Sequence, residues 1–279
     1  AIEASNLAEL SKEVIKENRF EDVIEVFNMK VENFTLAGFE QVDIIVSEFM
    51  GFFLVHEGML DSVLLARDRF LKPGGHLFPD RAIIYLSPCA IPSLFDNWEN
   101  VSGVKMTKFA EQLRQQKSNK PEVLLIEKDH LLADEIVVAF LDLNDISPVE
   151  LDKIDFKEVI VAKKDGNFQG VALWFDVLFP SNDMEEDITL STHPQSKPTH
   201  WKQTIIPLPA NIEYVETHTP IAFKLEIQRN PQNFRHYNLI LEILDPEKEE
   251  HPLPCDCNMT RCILSKAHLA SLSSNFYEA

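Results

Sequence analysis

Positive charge is what this chain has least of: 26 lysines and arginines stand against 45 aspartates and glutamates, a formal net charge of −19 over 279 residues. Such a surface repels the phosphate backbone, so direct nucleic-acid binding is not expected, and basic partners are favoured through steering. Cysteine is scarce as well. Four thiols, Cys89, Cys255, Cys257 and Cys262, cannot staple a chain of this size, which makes a reducing compartment, cytoplasmic or nuclear, the expectation. No apolar run is long enough to span a bilayer and no leader peptide is recognisable, so no membrane partner is expected. A glycine-rich turn ahead of Glu3 is also missing. Ala1 already reads as the end of a strand, which places the natural start upstream.

What remains is globular, 45% hydrophobic and 25% charged, and long enough for two domains. Residues 1–79 alternate between short apolar runs and helical periodicity. Ile2–Glu3 ends a strand, Leu7, Leu10, Val14 and Ile15 share one helix face, and Val23–Phe27 is a second strand. Val42–Val46 is apolar enough for a strand buried on both faces of a parallel sheet. Met59, Leu60, Val63, Leu64, Ala66, Phe70 and Leu71 then follow helical spacing until Lys72-Pro73-Gly74-Gly75 stops them. This is the rhythm of a doubly wound α/β sheet. Beyond Pro79 the texture changes to many short strands, such as Glu135–Phe140, Phe156–Val161, Val171–Phe179, Phe223–Ile227 and Tyr237–Ile243, as in a β-sandwich or barrel. One segment interrupts it. Ile91, Leu94, Phe95, Trp98, Val101, Val104, Met106, Phe109 and Leu113 are spaced as in two short helices, packed either on their own β domain or on another subunit.

Polarity concentrates unexpectedly in Ser47–Met59, where Glu48 and Glu57 stand among apolar residues between strand and helix. Three readings are open. Glu57 is stabilised by the helix N-terminus while Glu48 is solvated; or the two form a glycosidase-like acid/base pair; or they clamp a guanidinium, whose planar donors suit carboxylates. The acidic balance favours the last mildly. Downstream, His200-Trp201 is either a core pair or a substrate wall. Cys255-Asp256-Cys257 with Cys262, flanked by His251 and His268, invites a zinc reading, but this spacing departs from the usual paired-ligand pattern. Half-buried free thiols and no metal are the expectation.

Taken together, Ser47-Glu48-Phe49-Met50-Gly51 with Glu57-Gly58-Met59-Leu60, then Ala66-Arg67-Asp68-Arg69-Phe70-Leu71-Lys72-Pro73-Gly74-Gly75, and finally Thr199-His200-Trp201-Lys202-Gln203-Thr204, resemble the protein arginine N-methyltransferases. The two loops look like that family's double-E and THW loops. The resemblance implies methyl transfer from S-adenosylmethionine, leaving S-adenosylhomocysteine, to arginine-rich protein substrates. It also implies α/β plus β architecture: residues 1–79 as the C-terminal part of a Rossmann-like cofactor domain, and 80–279 as a β-barrel substrate domain with a helical dimerisation arm at about 88–118, giving a homodimer. By motif, Glu48 and Glu57 would be catalytic, gripping the guanidinium, with His200, Trp201 and Met59 binding substrate. Glu3, Val31, Glu32, Met50, Met59 and Ser62 would bind cofactor. Met59 matches the asymmetrically dimethylating class. Phe49 stands where the family usually has Trp, Phe52 where Tyr is common, and Gly58 where Ser is usual, a change expected to loosen the loop. The alternative is a catalytically silent homologue that binds arginine-rich segments or dimerises with an active partner.

Overall fold

The structure, a computed structural model, describes residues 1–279 except 37, 39, 95, 99, 119, 182–185, 210–212 and 276–279, with the side chains of 213 and 272–275 also outside it. The first stretch runs β1 (Ile2–Glu3), α1 (Leu7–Glu17), β2 (Phe27–Asn28), β3 (Val42–Val46), α2 (Leu60–Phe70) and β4 (Leu71–Phe78). β1 pairs with β2 and β3 with β4, both in parallel, which is the α/β rhythm expected of it. Three details differ. The strand expected at Val23–Phe27 shrinks to Phe27–Asn28, because the Phe20 carbonyl takes the N–H groups of Val23 and Ile24 in a turn at 3.0 and 2.8 Å. Val42, Ile44 and Val46 are exposed rather than buried, since β4 is the one strand paired with β3 among the described residues and nothing covers the far face. The second helix stops at Phe70, and Leu71 to Gly75 already belong to β4. Pro73 cannot continue a helix and biases its predecessor toward extended backbone.

The rest is predominantly β. It comprises β5 (Arg81–Cys89), β6 (Asn100–Val101), β7 (Val104–Lys105), α3 (Thr107–Lys117), β8 (Glu122–Leu124), β9 (Ile136–Asp142), β10 (Lys153–Val161), β11 (Gly166–Phe168) and β12 (Gly170–Phe179). After these come β13 (Ile188–Ser191), β14 (Gln203–Pro207), β15 (Glu213–Val215), β16 (Pro220–Asn230), β17 (Asn233–Leu244) and α4 (Thr260–Asn275). One sheet has the order β8-β14-β12-β5-β9, with β13 on the free length of β12, and a second has β10-β16-β17. Both contribute to one hydrophobic cluster: Ile84, Leu86, Leu173 and Phe175 from the first sheet, Ile160, Phe223, Leu225 and Ile227 from the second. Each such side chain stabilises the fold by roughly 1.5–3 kcal/mol on burial.

The expected barrel does not close. Among the described residues β9 pairs only with β5 and β10 only with β16, so hydrogen bonding cannot run around a ring. Between them a short 3-10 turn at Pro148–Leu151, fixed by reciprocal capping of Ser147 and Glu150, carries the chain from one sheet to the other.

The interrupting segment also differs from two helices. It is a 3-10 turn at Asp96–Trp98, the β6–β7 hairpin and α3, while Phe95 and Glu99 lie outside the described residues. Its base is anchored: Ile91 is buried against Trp174 and Ile205, and its N–H is accepted by the Gln169 side chain, whose amide donates to Asp96 at 2.6 Å. Its tip leaves Trp98, Val101, Val104 and Phe109 exposed. No described helix is long and apolar enough to cross a membrane.

Candidate active site

The loop from Ser47 to Met59 closes on itself. Gly51 and Leu54 exchange backbone hydrogen bonds at 2.9 and 3.0 Å. The approach is so tight that a Cβ on Gly51 would lie 2.0 Å from the His56 carbonyl oxygen, which only glycine permits. Closure places Glu48 and Glu57 on the two limbs of one knot. Glu48 is exposed and one of its oxygens accepts the Met50 N–H at 3.0 Å. Glu57 is exposed with φ +79°, a conformation unusual for a non-glycine residue and concentrated at functional sites. Neither carboxylate forms an ion pair among the described residues. Gly58 follows at φ +61°, where a Cβ would stand 2.8 Å from the Phe234 carbonyl oxygen. Glycine therefore permits close packing here, and the expected loosening is overturned.

What holds the knot comes from the β region. The Trp201 indole N–H donates to the Met50 carbonyl at 2.8 Å, the Thr204 hydroxyl to the Phe52 carbonyl at 3.2 Å, and the Arg235 guanidinium to the Glu57 carbonyl at 3.0 Å. Trp201 is buried, edge-on to Phe175, and so anchors the loop; His200, its ring tilted at 36° to the indole with centroids 3.9 Å apart, is exposed. Phe49 and Met50 are buried in the main core. The change from Trp to Phe at 49 is therefore a packing change, and Met50 does not reach the cavity below.

That cavity, of about 1080 Å³, opens between the first stretch and the loop. It brings together Glu3, Val31, Glu32, Glu57, Met59 and Ser62, while Glu48, Met50, His200 and Trp201 are not among its lining residues. The exposed face of β3 forms part of its wall, which accounts for Ile44 and Val46 lacking cover. One oxygen of Glu3 accepts the Ser5 N–H at 2.6 Å, holding that carboxyl below its usual range. Glu32 accepts the Ser62 hydroxyl at 2.7 Å, with the same consequence. Both acids are thus ionised at neutral pH and keep oxygens free to accept hydroxyl or amino donors. With Phe27 and Phe34 as apolar lining, this fits a nucleoside-bearing cofactor.

Several participants escaped the sequence reading. Arg229, buried in β16, makes a two-pronged pair with Asp61 at 2.5 and 2.9 Å, lies 2.9 Å from Asp152, and stacks over Tyr237 at 5.1 Å. This fixes the first turn of α2, two residues beyond Met59. Burial pushes the Tyr237 hydroxyl up to about 12, so it remains neutral beneath the guanidinium. His56 lies 5.2 Å from both Phe53 and His236, with its Nδ1 buried and unpartnered. Burial first, then the neighbouring His236, hold it below the usual imidazole range, against an opposing pull from Glu57. Only the loop location of His56 offered a sequence signal; for Arg229 and His236 there was none.

Residues 80–244 match the family described as the arginine methyltransferase oligomerization subdomain. Protein arginine N-methyltransferase 6 of Danio rerio is 32% identical over 260 residues, covering 90% of this chain and 72% of the relative. The chain belongs to the protein arginine N-methyltransferase family. A probable protein arginine N-methyltransferase 6 from Arabidopsis thaliana is also 32% identical, over 87% of this chain and 63% of its own length, so the chain spans somewhat under two thirds of that relative. Among solved structures, the Trypanosoma brucei PRMT1 enzyme–prozyme heterotetrameric complex with AdoHcy matches with a TM-score of 0.73 and 28% identity, over 90% of this chain and 78% of that one. Members of this methyltransferase family are S-adenosylmethionine-dependent enzymes acting on arginine, and the matched subdomain is one that assembles subunits.

Proposed function

We propose that the chain transfers methyl groups from S-adenosylmethionine to arginine guanidinium nitrogens of protein substrates, giving mono- and asymmetric dimethylarginine. The observation that carries this reading is Glu57, unpaired among the described residues and in a strained conformation, at the rim of a cavity that also holds the ionised Glu3 and Glu32. In this reading residues 1–79 form the C-terminal part of the cofactor domain and 80–279 the substrate domain. The arm at about 88–118, with Trp98, Val101, Val104 and Phe109 exposed at its tip, joins two copies into a homodimer. Four free cysteines agree with a cytoplasmic or nuclear address.

S-adenosylmethionine supplies a methyl group on positively charged sulfur. Glu48 and Glu57 receive the N–H donors of the guanidinium and concentrate its positive charge on the nitrogens they hold. The remaining nitrogen would keep the lone-pair character needed to accept the methyl group that S-adenosylmethionine would supply, with the guanidinium giving up a proton in return. Glu3 and Glu32 would hold the cofactor by accepting its hydroxyl and amino donors, and His200 would close the substrate side. Because the clamp acts on charge that redistributes in the transition state, it raises turnover as well as binding.

The test is transfer of labelled methyl to a glycine- and arginine-rich peptide by the protein and by Glu48→Gln and Glu57→Gln. Each variant is expected to lose at least about a hundredfold in turnover, as for removal of one electrostatic stabiliser. Near-normal turnover in either variant rejects the clamp. Cofactor binding without methylation by the unaltered protein rejects the activity and supports the silent subunit.

A further inference from the structure

The last strand ends at Leu244, yet the chain goes on through Cys255 and Cys257 into α4, and little apolar contact accounts for the position of that helix. Cys262 is the only buried side chain among the described residues of α4, while Ile263, Leu264 and Leu269 are exposed. What surrounds Cys262 is chemically unusual. Cys255, Cys257 and Cys262 are all buried, none is in a disulfide, and their sulfurs lie 3.4, 3.3 and 3.3 Å from one atom, Nδ1 of His251. The four potential ligand atoms all fall within 4.8 Å of one another.

We propose that His251, Cys255, Cys257 and Cys262 form a structural zinc site that fastens α4 to the β region. A tetrahedral ion with Zn–S near 2.3 Å and Zn–N near 2.0–2.1 Å spaces its sulfurs roughly 3.5–3.6 Å from the nitrogen, close to the separations found. Without an ion only weak pairing among the thiols supplements the imidazole. One imidazole nitrogen can accept a single S–H, so the other two thiols converge on an acceptor already in use. The tautomer is set as well. His251 Nε2 lies 2.9 Å from the Pro246 carbonyl, an arrangement that places the proton on Nε2 and leaves the Nδ1 lone pair facing the sulfurs. This is the usual arrangement of a metal-bound histidine, whose second nitrogen donates to a carbonyl or carboxylate.

The surroundings hold these ligands in place. Arg261, next to Cys262, donates to the carbonyls of Pro246, Glu247 and Glu249 at 2.7, 3.0 and 2.9 Å, and so braces the turn that delivers His251. On the other side the His218 ring lies 2.9 Å from the Asp256 carbonyl, and the Asn258 N–H donates to the His218 carbonyl at 3.0 Å. The loop before β16 therefore grips the segment around the first two cysteines, at Asp256 between them and at Asn258 just after. Val161, at the end of β10, packs on the cluster. Three independent parts of the chain thus converge on a four-ligand set of the Cys3His type, closed and lacking an open position, which points to structure rather than catalysis. His268, which also flanks these cysteines in sequence, takes no part in the group.

Elemental analysis of the purified protein, grown in zinc-supplemented medium and handled without chelator, tests the site. About one zinc per chain is expected, against less than about a tenth of that for Cys257→Ser/Cys262→Ser. Because the double variant could misfold, a second measurement uses the unaltered protein. After zinc removal, titration with cobalt(II) is expected to give the charge-transfer and intense visible bands of a tetrahedral thiolate site, saturating at one equivalent and displaced by zinc. Limited trypsin digestion should then cut metal-free protein at Arg261 and Lys266 at least about tenfold faster than zinc-loaded protein while the sheets stay intact. The proposal is overturned if the unaltered protein carries no zinc or a stoichiometric amount of another metal, or if the double variant retains equal zinc. Octahedral cobalt spectra, or digestion unaffected by zinc, also overturn it.

Discussion

The first 79 residues and the β region that follows differ sharply in how far they satisfy their own apolar surface. In α1, Leu7, Leu10 and Val14 are 59%, 54% and 47% exposed, and Ala8 is the one buried residue. In β12, by contrast, Val171, Ala172, Leu173, Phe175 and Val177 are all fully buried. The difference shows which part secures the loop from Ser47 to Met59. Glu48 and Glu57 follow β3 in sequence, yet Trp201, Thr204, Arg229 and Arg235 in or beside the sheets secure the loop and the helix behind it. The α/β stretch supplies the acids Glu3 and Glu32 that line the cavity; the β region supplies rigidity.

If so, damage to anchors in the β region should disturb a site that lies outside it. Arg229→Ala, which leaves Asp61 unpaired, is expected to cost about 3 kcal/mol, at the low end for breaking a buried pair because the aspartates are partly exposed. Urea denaturation would read it as a lower midpoint, and methylation should fall with it; an unchanged midpoint would return the site to the α/β stretch. Gly58→Ser restores the residue usual in the family but is expected to destabilise by about 2 kcal/mol, from the positive φ and the nearby Phe234 carbonyl. Thermal melting with and without a cofactor analogue would detect it. Trp201→Phe removes one hydrogen bond and leaves the Met50 carbonyl unpaired, worth about 1–2 kcal/mol. Here kcat should fall more than cofactor affinity, since Trp201 does not line the cavity proposed for the cofactor.

The smallest expected effect is that of pH. His56 is held below its ordinary value near 6.5, so between the folded and unfolded values the unfolded chain binds more protons. Stability therefore rises with pH through that window. It declines as pH falls below about 6.5, and the penalty is complete below the folded value. Comparing melting at pH 5.5 and 7.5 (chosen to bracket about 6.5) in the protein and in His56→Asn should show a reduced pH dependence in the variant. Equal slopes would remove His56 from the account.

Legibility in sequence followed the range of the interactions. The strands at β9, β10, β12, β16 and β17 and the helix after the loop were visible because their apolar periodicity is local. Val23–Phe27 misled because β propensity was outweighed by a turn at Phe20, and Val42–Val46 because an apolar strand was read as buried when one of its faces borders a cavity. Strand spacing left sandwich and barrel both open and the resemblance chose the barrel, whereas among the described residues β10 pairs only with β16 and β9 only with β5, which leaves two sheets around a shared core. Spacing alone left open three uses for Glu48 and Glu57, and motif resemblance narrowed them.

The sequence by itself determined the family, the order of α/β and β regions, and the identities of the acids. Those depend on residue type and on contacts within a few positions. The tertiary structure decided that Trp201 anchors rather than lines, that Gly58 tightens rather than loosens, and that His251 meets three cysteines 4, 6 and 11 positions away. Each depends on which distant backbone atom a side chain reaches or approaches, or on how the chain turns back on itself, and that is fixed only once both sheets have packed.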